Sequence, residues 1–155
     1  MLRPPGHHAE PVRARGFCLF NNVAVAAAQA KLGCELILIV DWDARHGSGT
    51  QDIFWADLDV LFFDTYCAAP FYLGSGHLQE VGGGLGEGNN INVPIPEDAG
   101  DIAFEKAFRE ILIAPPDYFK PDLVLISAGF DAHRNDMALN LSYDGFQCSL
   151  ASIRA

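Results

Sequence analysis

Short, nearly continuous hydrophobic runs alternate along this chain with amphipathic segments of helical periodicity. The run at residues 35–40 (ELILIV) and the run Leu123–Ser127 (LVLIS) are typical of strands that are covered on both faces. Residues 60–63 predict a third strand, and residues 90–93 predict a shorter fourth one. Strands that alternate with helices indicate an α/β fold with a mainly parallel sheet and helices on both faces.

The amphipathic segments predict helices. Residues 23–32 are rich in alanine, with Asn22 as the expected N-cap and Gly33 where a glycine often follows a helix. Residues 102–113 carry apolar side chains at helical spacing and end before a Pro-Pro pair. A last helix is expected to begin near Ser142.

Five of the seven residues at 82–88 (GGGLGEG) are glycine. A phosphate-binding loop links a strand to a helix and ends in Gly-Lys-Ser or Gly-Lys-Thr, whereas this run precedes a predicted strand and lacks that ending. We therefore interpret it as an ordinary loop.

Length and composition are those of one globular domain, because the chain has 155 residues, of which half are hydrophobic and 19% are charged. No apolar run reaches the ~18–20 residues that cross a membrane. The first residues lack the apolar stretch of a secretory signal. The sequence therefore predicts a cytoplasmic protein with no membrane contact, or a nuclear one if the source is eukaryotic.

Ten basic residues against twenty acidic ones give a net charge of −10, which is opposite to what phosphate-backbone binding needs and excludes nucleic acid as a direct partner. Solubility explains this acidity most simply, and attraction of a lysine-bearing tail or a polyamine is the alternative. The four cysteines form no C-x-x-C pair, so free thiols are expected rather than a zinc knuckle or a redox motif.

Carboxylates follow two of the predicted strands at the point where each strand ends. Asp41 and Asp43 come after the first buried run, and Asp131 comes after Leu123–Ser127. Ligands of an open parallel sheet bind at this edge, and three carboxylates there repel each other unless a cation or a basic residue lies between them. A lone aspartate at a strand end more often caps a turn, but the D-x-D doublet and the second strand end favour a metal site.

Adjacent His7 and His8 follow a Pro-Pro-Gly sequence. In a loop both imidazoles can reach one pocket, where one can accept a proton from a metal-bound water and the other can serve the leaving amine. Such a pair is more often a surface feature when it stands alone. The aspartates favour a catalytic pair here.

Together these stretches closely resemble the histone deacetylase family, including its class II-like and bacterial members and the acetylpolyamine amidohydrolases. The resemblance implies an arginase-like, three-layer α/β/α domain and hydrolysis of acetyl groups from lysine or polyamine amines by zinc-activated water. The matching stretches occur in family order at residues 3–9 (RPPGHHA), 16–22 (GFCLFNN), 40–43 (VDWD), 46–51 (HGSGTQ), 70–76 (PFYLGSG), 92–94 (NVP) and 127–133 (SAGFDAH).

The resemblance also implies the roles of individual residues. Asp43 and Asp131 match two zinc ligands, and His7 and His8 match the general-base pair. Asp41 is expected to orient His7 and to help hold a structural K⁺ ion.

Three further residues match the narrow channel that holds the acyl-lysine stem. Phe17 and Tyr72 correspond to its two aromatic walls, and Gly16 precedes the first of them. The partner that this channel implies is an acetylated lysine or an acetylpolyamine.

One position departs from the family at the metal. The third ligand is a histidine two residues after the first aspartate, but Arg45 stands there. Arginine cannot bind zinc, because its guanidinium stays protonated and offers no lone pair. His46, one residue further on, would face away from the metal position. Arg45 is expected instead to bridge Asp43 and Asp131 and to weaken zinc binding.

Other departures concern Tyr66 and Cys67, where a histidine and a polar residue are usual, and Ser48, where asparagine is common. The family domain is also longer at both ends, so residues 1–155 are predicted to be a partial domain that lacks a transition-state tyrosine. Two hypotheses follow: a zinc amidohydrolase impaired by Arg45 and truncation, or a catalytically inactive fragment or binding module. The metal content of the purified chain would separate them best.

Overall fold

The computed structural model describes residues 6–68, 74–113, 119–136 and 138–153. A 3₁₀ turn at Gly84–Gly86 precedes the strand at Asn90–Ile95, and a π-helix at Ala107–Ile113 directly follows the α-helix at Asp101–Lys106. None of the helices in these ranges is long and apolar enough to cross a membrane. The regular elements in chain order are α1 (Asn22–Ala30), β1 (Ile37–Asp41), α2 (Ser48–Phe54), β2 (Val60–Cys67), β3 (Asn90–Ile95), α3 (Asp101–Lys106), β4 (Leu123–Ser127) and α4 (Tyr143–Ile153).

The four strands form one parallel sheet in the order β3-β2-β1-β4. Asp41, the last residue of β1, lies in register with Asp64 of β2 and with Ser127 of β4. Because all strands run in the same direction, their carboxyl ends meet at one edge, where ligands bind in such sheets. The predicted parallel sheet is confirmed.

Helices cover both faces of the sheet. In β1, Ile37 and Ile39 pack in one buried cluster with α1 and α2, whereas Leu38 and Val40 pack in another with α3, the π-helix and α4. This alternation of apolar side chains explains why the strand is an unbroken hydrophobic run. The three-layer α/β/α arrangement is therefore confirmed.

The first helix begins with a different cap from the predicted one. Asn21, not Asn22, is the N-cap, and its side-chain oxygen accepts a hydrogen bond from the backbone N–H of Ala24 at 3.0 Å. The helix ends at Ala30, and Gly33 lies beyond its end without a positive φ. Two adjacent asparagines offer the same side chain, so the pattern alone could not choose between them.

Other element bounds also differ from the sequence-based ones. β2 continues past Phe63 to Cys67 because its polar residues are paired with β3. The segment at 102–113 is an α-helix only to Lys106 and then becomes the π-helix. α2 was not predicted, since SGTQDIF has little apolar periodicity.

The cap assignment predicts a measurable loss of stability. Asn21→Ala should lower the free energy of unfolding by about 1–2 kcal/mol, the upper part of the usual range for a lost N-cap, because Asn21 also donates to Thr50 Oγ1 at 3.0 Å. Gln29→Ala, at an exposed position of the same helix, should change it by less than about 0.5 kcal/mol. Urea unfolding compares the two variants, and equal losses would contradict the assignment.

Candidate active site

The His7-His8 segment is fixed against the start of α2. The backbone N–H of Thr50 donates to the carbonyl of His7 at 3.0 Å. A side chain at Gly49 would collide with the backbone of Ala9, so the two segments can approach this closely only with glycine there. This contact places both imidazoles near the carboxyl end of β1.

His7 and Asp41 form a buried ion pair. The Nδ1 atom of His7 lies 2.9 Å from Oδ2 of Asp41, and both side chains are at most 5% exposed. Burial alone would lower the pKa of His7, but the charge and hydrogen bond of Asp41 raise it to about 10. The same partner holds the pKa of Asp41 below its usual value despite burial. At neutral pH His7 is therefore a cation beside a carboxylate.

His8 has the opposite electrostatic character. Its ring centroid lies 3.9 Å from that of His7, and its side chain is buried. Burial, and then the positive charge of His7, lower the pKa of His8 to about 3. The two adjacent histidines thus differ at neutral pH, one being charged and the other neutral.

Asp43 lies close to His7 on one side and to the turn that carries Asp131 on the other. Its Oδ1 atom is 3.8 Å from Nε2 of His7. Any side chain at Gly129 would collide with Asp43, so the turn that carries Asp131 packs directly against it. Burial, with the charges of Asp131 and Asp41, raises the pKa of Asp43 to about 7 against the effect of His7.

Arg45 contacts Asp131 through its side chain and Asp43 through its backbone. Its Nη1 atom donates to Oδ2 of Asp131 at 2.8 Å, and its backbone N–H donates to Oδ1 of Asp43 at 2.9 Å. The other oxygen of Asp131 accepts from the backbone N–H of Ala44 at 2.9 Å. The guanidinium therefore reaches one of the two carboxylates that it was expected to bridge, and the backbone reaches the other.

This donor set does not fit zinc. Both oxygens of Asp131 already accept N–H groups, and Arg45 has no lone pair for a metal. Within the described ranges, no three His, Cys, Asp or Glu side chains are grouped so as to hold a metal ion. His46 is directed elsewhere, with Nδ1 3.0 Å from Ser75 Oγ and Nε2 3.2 Å from Gln51 Oε1.

The predicted channel residues are placed only in part. Gly16 and Phe17 form a two-residue turn, both with positive φ, between the paired residues Arg15 and Cys18. Phe17 is 96% exposed. Tyr72 lies outside the described residues. The channel therefore remains a prediction.

Asp64 is a site residue that sequence reasoning missed. It lies beside Asp41 in the sheet and is fully buried, and its Oδ2 atom accepts from the backbone N–H of Gly47 at 2.7 Å. Its Oδ1 atom has no hydrogen-bond partner among the described residues. Burial, and then the charge of Asp41, raise its pKa well above the usual value. A lone aspartate inside the apolar run VLFFDTYC was the available signal.

The histone deacetylase domain model matches residues 1–154. This chain belongs to the histone deacetylase family. Histone deacetylase 14, chloroplastic, of Arabidopsis thaliana is 46% identical over 145 residues, which are 92% of this chain and 34% of that protein. The solved HD domain of HDA15 has a TM-score of 0.91 at 41% identity and is matched over 97% of this chain and 46% of its own.

A solved acetylpolyamine aminohydrolase from Burkholderia pseudomallei is also similar, with a TM-score of 0.83 at 36% identity over 93% of this chain and 43% of that one. The histone deacetylase family and its deacetylase-like α/β fold, both expected from the motifs, are therefore confirmed. The chain spans about a third of the length of the curated relative and less than half of each solved chain.

Proposed function

We propose that this chain carries the site of a deacetylase-type amidohydrolase for acetylated lysine or polyamine amines, and that Arg45 impairs hydrolysis in this polypeptide. The observation that carries the proposal is the 2.8 Å ion pair between Arg45 and Asp131, at the position where the family resemblance requires a metal ligand. The guanidinium of Arg45, which is part of the chain, here takes the place of an exchangeable metal ion.

The histidine pair supports the amidohydrolase class. His8 is neutral at pH 7 and can accept a proton, whereas His7 is charged and is held in place by Asp41. Hydrolysis of an amide needs both a base for the attacking water and a proton for the leaving amine. Two adjacent imidazoles in different protonation states offer one proton acceptor and one proton donor.

The identity of the substrate rests on similarity and charge. One solved relative is described as an acetylpolyamine aminohydrolase and other relatives as histone deacetylases, and lysine tails and polyamines are both cationic. The net charge of −10 favours the approach of such molecules. Weak zinc binding, a K⁺ ion beside Asp41, the cytoplasmic location and the single partial domain at 1–155 remain predictions.

A second candidate is a module that binds the acylated amine without hydrolysing it. The same Arg45–Asp131 pair favours it, because the pair fills the metal position while the His7–Asp41 pair stays intact. The two candidates differ in residual turnover, so a single assay separates them: slow acetate release above that of a His7→Ala/His8→Ala double variant indicates the impaired amidohydrolase, and no release above it indicates the binding module.

That assay measures acetate release from an acetyl-lysine peptide and from acetylputrescine, with zinc supplied. The unmodified chain should release acetate very slowly and only modestly faster than the His7→Ala/His8→Ala double variant, because the histidine base remains but no tightly held metal activates its water. Turnover well above the double variant that a chelator abolishes would show that Arg45 does not impair the site.

A further inference from the structure

Five polar side chains form a buried cluster beside the active site, which we call the Gln51 network. Its members are Gln51 of α2, His46, Glu80, and Asn90 and Asn92 of β3. Four of them are at most 5% exposed, and Glu80 is half-buried. They come from three separate stretches of the chain, at residues 46–51, 80 and 90–92, so the network exists only in the folded chain.

Gln51 is the centre of this network. Its Oε1 atom accepts from Asn92 Nδ2 at 2.8 Å and from Asn90 Nδ2 at 3.0 Å, and it lies 3.2 Å from His46 Nε2. Its Nε2 atom donates to Oε2 of Glu80 at 2.7 Å. The amide oxygen thus faces donors, and the amide nitrogen faces a carboxylate.

Glu80 determines this orientation. An ionised carboxylate can only accept, so it must face the NH₂ end of Gln51. Its Oε2 atom also accepts from the backbone N–H of Gly76 at 2.8 Å, which fixes the carboxylate itself. If the amide of Gln51 were reversed, its oxygen would face Glu80 and its NH₂ group would face the NH₂ groups of Asn90 and Asn92.

The network also determines which ring nitrogen of His46 carries the proton. Nε2 lies 3.2 Å from the acceptor Gln51 Oε1, with Asp64 Oδ2 at 3.8 Å, and this arrangement favours a proton on Nε2. Nδ1 lies 3.0 Å from Ser75 Oγ, whose hydroxyl can donate to it. Both ring nitrogens of His46 thus have partners other than Asp43 and Asp131.

We propose that Glu80 is a positioning residue that, through Gln51, holds His46 as the Nε2–H tautomer, so that of residues 45 and 46 only residue 45 faces Asp43 and Asp131. The role of residue 45 rests on the proposed function, whereas the state of His46 does not. A histidine next to a metal position would otherwise be a ready substitute ligand, and the network removes it from that role.

The test is ¹H–¹⁵N NMR of the histidine side chains in the full chain without metal, with His46→Gln assigning the signals. The unmodified chain should show His46 as the Nε2–H tautomer. Glu80→Gln, which keeps an acceptor oxygen, should preserve that state in most molecules. Glu80→Met should reduce the Nε2–H population by at least about twofold, since no acceptor then orients Gln51. Glu87→Met, at an exposed position of the same segment, is the matched control and should leave the signal unchanged.

Exchanging glutamine and glutamate between positions 51 and 80 tests which side chain donates and which accepts. Gln51→Glu alone puts two carboxylates together and should disturb His46, whereas Gln51→Glu with Glu80→Gln again pairs a donor with an acceptor and should restore the tautomer. Circular dichroism checks that each variant is folded. An Nδ1–H tautomer in the unmodified chain, or an unchanged signal in folded Glu80→Met, would overturn the proposal. The measurement uses no metal or substrate, so a failed deacetylase proposal would leave it unaffected.

Discussion

Replacing Arg45 with histidine is expected to give a chain that retains about one zinc ion through dialysis, whereas the unmodified chain loses it. The variant would combine two carboxylates with one imidazole, which is a normal ligand set for a catalytic zinc site. It would also free Asp131 from the guanidinium that now donates to Oδ2 at 2.8 Å. The gain in affinity should be at least about 100-fold, because even outer-sphere partners change metal affinity by about 10–100-fold.

Arg45→Gln is the matched control for this experiment. It removes the same positive charge and the ion pair but supplies no imidazole, so it should bind zinc far more weakly than Arg45→His. Zinc is measured by atomic emission after dialysis, and its affinity by competition with a coloured chelator. Zinc bound at one equivalent by the unmodified chain would show that another group completes the site, and His46→Ala would then identify it if His46 is that group.

The strand pattern predicted most of the fold because it reflects burial directly. Ile37–Asp41 is buried throughout, and Leu123–Ser127 at the edge of the sheet is half-buried; apolar side chains of both strands pack against clusters on the two faces, which favours a hydrophobic run. α2 was missed because its residues are held by tertiary contacts instead of a periodic apolar face; five of its seven residues are buried, three of them polar. The π-helix was missed because its first residues continue the periodicity of a normal helix.

The positions of the candidate site residues were predictable where a short motif and a strand end coincide. Asp41, Asp43 and Asp131 all lie at the carboxyl edge of the sheet, as such ends require. The Gln51 network could not be predicted in this way, since Gln51 and Glu80 are 29 residues apart. Which end of the Gln51 amide faces Glu80 depends on contacts that form only in the folded chain. Asp64 is unusual in the sequence as a charged residue that follows an apolar run, but its proximity to Asp41 depends on the register between β1 and β2.

Asp41→Asn is expected to destabilise the folded chain by about 3–5 kcal/mol near pH 5.5, the usual result of removing one partner from a buried ion pair. His7 is 5% exposed and lies 2.9 Å from the carboxylate, so its charge would lose its closest compensation. Asp59→Asn is the control, because the Lys31–Asp59 pair at 3.0 Å is partly exposed and should contribute at most about 1 kcal/mol.

The pH dependence of this loss follows from the two shifted pKa values. The pKa of His7 rises from 6.5 to about 10 on folding, so the stabilisation is complete below 6.5 and is lost as pH rises towards 10. The pKa of Asp41 falls below 3.8, so its stabilisation is present above that value and is lost in more acidic solution. The difference between the unmodified chain and Asp41→Asn in urea unfolding should therefore be largest between about pH 4 and 6.5. A difference that stayed constant from pH 5 to 9 would mean that His7 is neutral and that Asp41 acts only through its shape and hydrogen bonds.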